Sequence, residues 1–252
     1  MADELQIRIH GGEDLPALIY LPGLHGDWTL AGHFRWEIAG KVRFVEFTYP
    51  RTLTWSLEDY AAAVETALLQ KGIRRGWLLG ESFGSQIIWP LVARGTFSAD
   101  GIILAGGFVR HPLRWMVRGA EKFFSRLPFW VFVRAVYAFT AFCRFRFRRS
   151  PEQLAELDEF SARRTRLDAQ AAVHRLHLVA ENDPRPTACF TQVPVFYLTG
   201  LFDPIVFWPL ARRWLKKNCP ALRAVKIIPA ADHNVLGTGT TEAARQVLEW
   251  MR

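Results

Sequence analysis

Short apolar runs that suit β-strands alternate with helical patterns along most of the chain, and this alternation limits its fold most strongly. Such chains form one mostly parallel sheet whose connecting helices cover both faces. The strands are predicted at residues 5–10 (an edge strand), 17–21, 42–47, 77–80, 101–105, 193–199 and 224–228. We therefore expect a three-layer α/β fold.

Helices are predicted between these strands from their caps and from helically spaced apolar residues. Ser56 is an N-cap residue with Asp59 in the first turn of a helix that runs to about Lys71. Two more helices are expected. The first, at 207–217, lies between the last two strands, and the second, at 241–251, follows the last strand.

Residues 108–190 break the alternation and contain 14 of the 34 aromatic residues of the chain. They also hold 15 Arg and Lys against 8 Asp and Glu, and so carry +7 of the net charge of +8. A helix is expected to start at Ser150, with Pro151 and Gln153 in its first turn. We predict a helical insertion at 108–190 in a core domain formed by 1–107 and 191–252.

Composition also indicates which binding partners and which cellular compartment to expect. No nucleic-acid motif accompanies the basic charge, so we expect no nucleic-acid partner. Residues 127–143 come nearest to a membrane span, but Pro128 and Arg134 interrupt them, so we expect a buried part of the insertion. Three widely spaced cysteines and an acidic N-terminus without a long apolar stretch favour the cytoplasm.

The pentapeptide Gly80-Glu81-Ser82-Phe83-Gly84 lies between a predicted strand and a predicted helix. It matches the G-x-S-x-G turn, in which flanking glycines give room for a strained, exposed serine. Ser82 is therefore the candidate nucleophile. The alternative is an ordinary strand-to-helix connection with a capping serine.

A second glycine-rich loop, 21–27, directly follows the strand at 17–21. The backbone amides of Leu24 and Phe83 are the best candidates for an oxyanion hole, the pair of donors that binds a developing negative charge. His25 is expected to shape this loop beside the substrate. A plain glycine-rich turn is the alternative.

A serine nucleophile needs a base and a residue that orients the base. Asp203 comes just after the strand at 193–199, and His233 comes just after the last strand. Asp232 neighbours His233 in sequence and is badly placed to orient its ring, so Asp203 is preferred. The alternatives are a turn-forming Asp before Pro204 and a solvated loop histidine.

From about residue 17 to the C-terminus the chain resembles the α/β-hydrolase superfamily. The segments PGLHG, GESFG and GLFDPIV look like its motifs, and Ser82, Asp203 and His233 stand in its order. Three features depart from the pattern. Only 16 residues precede the first buried strand, Ser85 stands where many relatives have glycine, and Pro90 should kink or shorten the helix after Ser82.

The resemblance implies a sheet of eight strands or slightly fewer, a Ser-His-Asp triad that works through an acyl-enzyme, and neither metal nor organic cofactor. It also implies that the insertion is a lid. We expect hydrolysis of carboxylic esters or thioesters with a hydrophobic acyl or aromatic group. The alternatives are an acyltransferase or C–C bond hydrolase with the same triad, and a non-catalytic binding protein.

The insertion holds the remaining candidates, with Trp115, Phe129 and Trp130 as predicted substrate-binding residues. Aromatic residues that could roof a pocket are Trp115, Phe123, Phe124, Phe129, Trp130, Phe132, Phe139 and Phe142. The simpler expectation is that most of them pack the insertion onto the core.

Two further patterns in the insertion have weaker functional interpretations. The basic residues Arg144, Arg146, Arg148 and Arg149 could contact an anionic group of a substrate or of a membrane, or they could be a solvated helix end. The alternation of Arg and Phe at 144–148 would also suit an extended segment. His174 and His177 lack companions with metal-ligand spacing, so no metal is expected there. The oligomeric state is open.

Overall fold

The computed structural model describes residues 4–146, 148 and 151–252. The strands are β1 (Gln6–His10), β2 (Ala17–Leu21), β3 (Arg43–Thr48), β4 (Arg75–Glu81), β5 (Ser98–Ala105), β6 (Val195–Gly200) and β7 (Leu222–Ile228). The helices outside residues 108–190 are α1 (Gly32–Glu37), α2 (Leu57–Gln70), α3 (Gly84–Arg94), α9 (Trp208–Asn218), α10 (Val235–Thr238) and α11 (Thr240–Trp250). Those within them are α4 (Arg114–Phe124), α5 (Phe129–Arg146), α6 (Pro151–Ala162), α7 (Arg166–Glu181) and α8 (Arg185–Phe190).

Within the described residues, the seven strands form one sheet in the order β1-β3-β2-β4-β5-β6-β7. Only β1 runs antiparallel to its neighbour; β2 to β7 are mutually parallel. The loops that follow these six strands therefore all leave the sheet at its carboxyl edge. This arrangement confirms the predicted α/β fold and a sheet slightly smaller than eight strands.

Helices cover both faces of the sheet. Side chains alternate along each strand, so successive residues point into different cores. In β2, Ile19 points into the core covered by α2, α3 and α9, whereas Leu18 points into the core covered by α1 and α11. The strands β2 and β6 are apolar on both faces, as expected for parallel strands covered by helices on both sides. The predicted three layers are therefore present, with a separate apolar core on each side of the sheet.

Local sequence signals placed several helix boundaries correctly. Ser56 Oγ accepts a hydrogen bond from the Asp59 amide, and the Asp59 carboxylate accepts one from the Ser56 amide, which makes a reciprocal capping box. The short helices α1 and α10 were not predicted. Pro90 lies inside α3, and the helix continues past it to Arg94.

Residues 108–190, called the helical segment below, contain five helices in their described part, α4 to α8, and connect β5 to β6. The segment is helical as predicted, and α6 begins at Pro151; the expected cap residue Ser150 lies outside the described residues. Its description as a lid and as a separate domain stays a prediction.

The expectation that the aromatic residues of this segment pack against the core is wrong for most of them. Six of the eight are exposed, namely Trp115, Phe123, Phe124, Trp130, Phe139 and Phe142. Residues 127–143, which were expected to be buried, are largely exposed as well. Most of them lie in α5, which is apolar around most of its circumference, and only one side of a helix can face the core. The extended alternative is also wrong for Arg144 and Phe145, which lie in α5.

Candidate active site

Ser82 lies in the turn between β4 and α3, at the carboxyl edge of the sheet. Its φ angle is +49°, and no other non-glycine residue in the described part of the chain has a positive φ. A side chain in this left-handed region is strained, so the surrounding structure must hold the turn. The Ser82 amide donates a 3.1 Å hydrogen bond to the carbonyl oxygen of Ala105, which ties the turn to β5.

The glycines on both sides of Ser82 occupy positions where backbone segments pack too closely for a side chain. A Cβ atom on Gly84 would lie 2.0 Å from the carbonyl oxygen of Leu21 in β2. One on Gly80 would lie 2.8 Å from the amide nitrogen of Ser85. The two glycines of the motif are therefore required by the close approach of β2, β4 and α3.

His233 and Asp203 lie in the loops after β7 and β6, at the same edge as Ser82. His233 Nε2 is 2.8 Å from Ser82 Oγ, and its Nδ1 is 2.8 Å from Asp203 Oδ2. The Asp203 side chain is fully buried, and its Oδ1 accepts hydrogen bonds from the amides of Ile205 and Val206 at 2.9 and 2.8 Å. The structure brings the three sequence-predicted side chains into one hydrogen-bonded chain.

Asp232, the sequence neighbour of His233, faces its own loop. Its Oδ1 accepts hydrogen bonds from the Asn234 amide and the Thr238 hydroxyl, both at 3.0 Å. These contacts stabilise the turn that leads into α10. The preference for Asp203 over Asp232 as the partner of His233 therefore agrees with the geometry.

His111, which sequence reasoning did not single out, lies beside the Asp203 loop. It is buried, its Nδ1 accepts a 3.2 Å hydrogen bond from the Leu113 amide, and it also interacts with the Ile205 backbone. Burial lowers the pKa of His111. The ring is therefore neutral at neutral pH and adds no positive charge near His233.

The loop 22–27 after β2 packs directly against the Ser82 turn. A Cβ atom on Gly23 would lie 3.5 Å from Ser82 Cβ and 3.4 Å from His25 Nδ1. No described residue accepts a hydrogen bond from the backbone amides of Leu24 or Phe83. The N–H groups of Leu24 and Phe83 could therefore donate to a bound substrate, one from each of the two backbone segments that pack together here.

Arg175 of α7 holds the loop from the helical segment. Its side chain is only 2% exposed, and its guanidinium donates hydrogen bonds to the carbonyl oxygens of Leu24 at 3.0 Å and Pro50 at 3.2 Å. A buried arginine bonded to two loops fixes their separation. Nothing in the sequence marks Arg175 among the 32 Lys and Arg residues, so this contact was missed.

Arg164, between α6 and α7, makes a second link to the same loop. It forms a buried ion pair with Asp27 and donates a 3.2 Å hydrogen bond to the carbonyl oxygen of His25. Burial by itself raises the pKa of Asp27, but the neighbouring His25, the Arg164 charge and hydrogen bonds from Thr29 outweigh it and hold the pKa below its ordinary value. Asp27 is therefore ionised at neutral pH.

His25 lies next to Ser82 without joining the hydrogen-bonded chain. Its ring contacts Phe160 of α6 with centroids 6.2 Å apart, and its Nε2 is buried without a partner among the described residues. Burial lowers the pKa of His25, so the ring is neutral at neutral pH. The predicted loop position of His25 agrees with the structure.

The other predicted substrate-binding residues lie farther out on the helical segment. Trp115 lines an open cavity of about 640 Å³ together with His111 and Leu210. The ring contacts of Phe129 and Trp130 are made within α5, to Phe132 and Arg134 respectively, and not to Ser82 or His233. A role for these three residues in substrate binding stays a prediction.

The basic residues near the end of α5 have local partners where the structure describes them. Arg144 pairs with Asp158 of α6, and the Arg148 guanidinium lies 4.8 Å from the ring of Phe145. Arg149 and the side chain of Arg146 lie outside the described part. An anionic ligand for this cluster stays a prediction.

His174 and His177 bond to different groups. The His174 ring contacts the Trp55 carbonyl oxygen at 2.8 Å, and the His177 ring contacts Glu121 at 3.0 Å. Within the described ranges, no group of three or more His, Cys, Asp or Glu side chains could hold a metal ion.

Comparison with family models decides the classification of this chain. Residues 42–240 match the model for the alpha/beta hydrolase fold. The chain belongs to the alpha/beta hydrolase family. The match includes Ser82, Asp203 and His233 as well as the whole helical segment. No curated protein matches the sequence.

Solved structures of similar fold support this assignment at the level of architecture. A thermophilic esterase from Thermogutta terrifontis, with malate bound, is 18% identical with a TM-score of 0.75, covering 98% of this chain and 93% of its own. A hydrolase from Pseudomonas aeruginosa is 14% identical with a TM-score of 0.79 and the same coverage. The enol-lactonase from Burkholderia xenovorans is 18% identical with a TM-score of 0.77, covering 98% and 95%. This alpha/beta hydrolase thus matches them over nearly the full length of both chains.

Substitution of Gly84 by alanine tests the close packing at the Ser82 turn. We expect Gly84→Ala to lower the free energy of unfolding by more than about 3 kcal/mol, because the added methyl group collides with the Leu21 carbonyl. Gly119→Ala in α4 is the control, since its Cβ meets no atom within 4 Å, and it should be neutral or stabilising by up to about 1 kcal/mol. Urea unfolding measures both, and equal effects would contradict the account.

The ion pair between Arg164 and Asp27 predicts a pH dependence of stability. We expect Asp27→Asn to lower the free energy of unfolding at pH 7 by about 3–5 kcal/mol, because it leaves Arg164 buried without its partner. The pKa of Asp27 is lower in the folded protein than in the unfolded chain, so its contribution is present above about pH 4. The difference between wild type and variant should shrink as the pH falls through the folded-state pKa.

Urea titrations at neutral and acid pH measure this difference. The matched control is Asp100→Asn, which removes a surface pair with the exposed Arg75 and should cost less than about 1 kcal/mol. A wild-type to Asp27→Asn difference that stays constant down to pH 2–3 would disprove the assignment.

Proposed function

We propose that this alpha/beta hydrolase is a serine hydrolase that cleaves carboxylic esters or thioesters. The observation that carries the proposal is the hydrogen-bonded chain from Asp203 through His233 to Ser82, with Ser82 in its strained turn. A serine hydroxyl becomes a nucleophile when a base can take its proton, and an oriented imidazole beside a buried carboxylate provides that base.

In the proposed reaction, His233 Nε2 takes the proton from Ser82 as the hydroxyl oxygen attacks the carbonyl carbon of the substrate. The Nδ1–H group of His233 donates to Asp203, which fixes the tautomer and stabilises the imidazolium. His233 then gives the proton to the leaving alcohol or thiol, and an acyl-enzyme remains. Water attacks the acyl-enzyme with His233 again as the base, and the acid is released.

The amides of Leu24 and Phe83 are the proposed oxyanion hole. Their free N–H groups on both sides of the Ser82 turn support this role, and one such donor contributes about 3–4 kcal/mol to lowering the barrier. Arg175 would then act as a positioning residue, because it bonds to the carbonyl oxygen of Leu24. The reaction needs neither a metal nor an organic cofactor.

The proposed substrate carries a hydrophobic acyl or aromatic group. Support comes from aromatic residues around the loop after β2, where Phe160 contacts His25. Among the structural relatives, the Thermogutta protein is an esterase and the Burkholderia protein an enol-lactonase, so lactones belong in the same assay panel. Acyl transfer or C–C bond hydrolysis would use the same three side chains, and product analysis with an acceptor alcohol separates acyl transfer from hydrolysis.

We also propose a cytoplasmic location. The support comes from two of the cysteines: Cys189 and Cys219 are free thiols, and Cys219 is buried. Reduced thiols of this kind are common in cytosolic proteins.

Replacement of Ser82 by alanine tests the proposed nucleophile. We expect Ser82→Ala to lower kcat/KM for a short p-nitrophenyl ester by at least about a thousandfold, because the acyl-enzyme cannot form. Ser98→Ala is the control, since Ser98 is exposed and begins β5 at the opposite edge of the sheet, and it should keep full activity. Circular dichroism should show the same fold for both variants. Full activity in Ser82→Ala would refute the assignment.

A further inference from the structure

The most unusual part of the surface is the helix α5, which is apolar on nearly every side and still largely exposed. Its sequence contains no Asp or Glu. Trp130, Tyr137, Phe142 and Phe145 each expose more than half of their surface. A helix that is apolar all round is normally buried in protein or in lipid. We therefore expect protein or lipid to cover the exposed side of α5.

The helix α4, which precedes α5 in the chain, also exposes aromatic residues. Trp115, Met116, Phe123 and Phe124 are all exposed on it. In the part of the chain that the structure describes, no single helix is long and apolar enough to cross a membrane, and only α4 and α5 together pass that test, as a pair bent by 119°. We call the exposed aromatic residues of these two helices the aromatic surface; they are Trp115, Phe123, Phe124, Trp130, Tyr137, Phe139, Phe142 and Phe145.

Positive charge surrounds the aromatic surface. Residues 114–148 include eight Lys and Arg but only one acidic residue, Glu121. Lys122, Arg126 and Arg134 are exposed and have no acidic partner among the described residues. The Arg134 guanidinium lies 5.3 Å from the ring of Trp130. Apolar and cationic groups are thus mixed along the exposed parts of these two helices.

We propose that the aromatic surface docks on an anionic phospholipid bilayer. In this arrangement α4 and α5 lie in the plane of the membrane surface, with their rings in the boundary between headgroups and acyl chains. The Lys and Arg side chains contact lipid phosphates, and each strengthens binding to the bilayer about fivefold. Tryptophan, tyrosine and arginine are the side chains that suit this boundary.

Charge complementarity selects an anionic bilayer over other occupants. A second copy of this chain would bring two strongly basic surfaces together, and like charges facing each other across an interface disfavour association. A nucleic acid would match the charge but would leave the large apolar area in water. Anionic lipids satisfy both the charge and the apolar area.

The aromatic surface is connected to the candidate active site through α5. Phe139 and Phe142 line a small cavity of about 70 Å³ together with Asp232 and Asn234, the two neighbours of His233. Phe139 also contacts Phe160, which in turn contacts His25. Docking through α5 would therefore bring the bilayer close to the catalytic loops. If the proposed function is correct, the substrate class would be esters dissolved in or at the membrane.

Vesicle flotation tests the docking proposal with the full-length protein. We expect the protein to float with vesicles of phosphatidylcholine and phosphatidylglycerol, and to stay at the bottom of the gradient with phosphatidylcholine alone. High salt should release it, because screening weakens the contacts to phosphate. Absence of flotation, or flotation that depends on neither phosphatidylglycerol nor salt, would overturn the proposal.

Charge variants provide the first matched comparison. The triple variant Lys122→Gln, Arg126→Gln, Arg134→Gln should lower the partition coefficient onto anionic vesicles roughly a hundredfold. The control Lys41→Gln, Lys71→Gln, Arg74→Gln removes the same charge at the amino edge of the sheet and should bind like wild type. Equal losses in the two triple variants would show a non-specific charge effect and overturn the proposal.

Aromatic variants provide the second comparison. Trp130→Ser combined with Phe142→Ser and Phe145→Ser should weaken binding by at least about tenfold. Phe190→Ser is the control, because Phe190 is 81% exposed but precedes β6 at the amino edge of the sheet. Unchanged binding of the triple variant would overturn the proposal. Ser82→Ala should float like wild type, so a failure of docking and a failure of the proposed chemistry are separately visible.

Discussion

The parallel pairing of β4 with β2 on one side and β5 on the other is the constraint on which the candidate site depends. Those pairings bring the loop after β2 and the turn after β4 to the same edge, and β5 anchors the Ser82 amide at Ala105. The left-handed backbone of Ser82 can persist only because Gly80 and Gly84 let these strands and α3 approach so closely. The same edge receives Asp203 after β6 and His233 after β7, so the sheet order itself assembles the three side chains.

The inner side of the helical segment contacts the candidate site, whereas its outer side is exposed to solvent. Inside, Arg164 and Arg175 bind the loop that carries Leu24 and His25, so the candidate oxyanion donor at Leu24 depends on residues far away in sequence. Outside, α4 and α5 present aromatic and basic side chains to the solvent. One segment therefore joins the loops of the candidate active site to the surface that we propose contacts lipid.

Much of the fold and of the candidate site was predictable from sequence because the signals are local. Strands in a parallel sheet are short apolar runs, and the turn around Ser82 needs glycine at fixed offsets, so both appear in a few consecutive residues. The partners of Ser82 were predictable from chain order, since Asp203 and His233 follow the strands whose loops reach the same edge.

The remaining features depend on contacts between distant residues. Arg175 looks like any other arginine in the sequence, and only the packing of α7 against two loops gives it buried partners. His111 similarly acquires its surroundings from the Asp203 loop. The aromatic residues of α5 were expected inside because burial is the common fate of such side chains. Their exposure follows from a helix with more apolar surface than the core can cover.

The most direct test of the central claim is covalent labelling with a fluorophosphonate probe, followed by mass spectrometry of the modified peptide. The account predicts a single adduct on Ser82 at neutral pH, formed much more slowly in His233→Ala, because the serine then lacks its base. Labelling of a different residue, or an undiminished rate in His233→Ala, would contradict it.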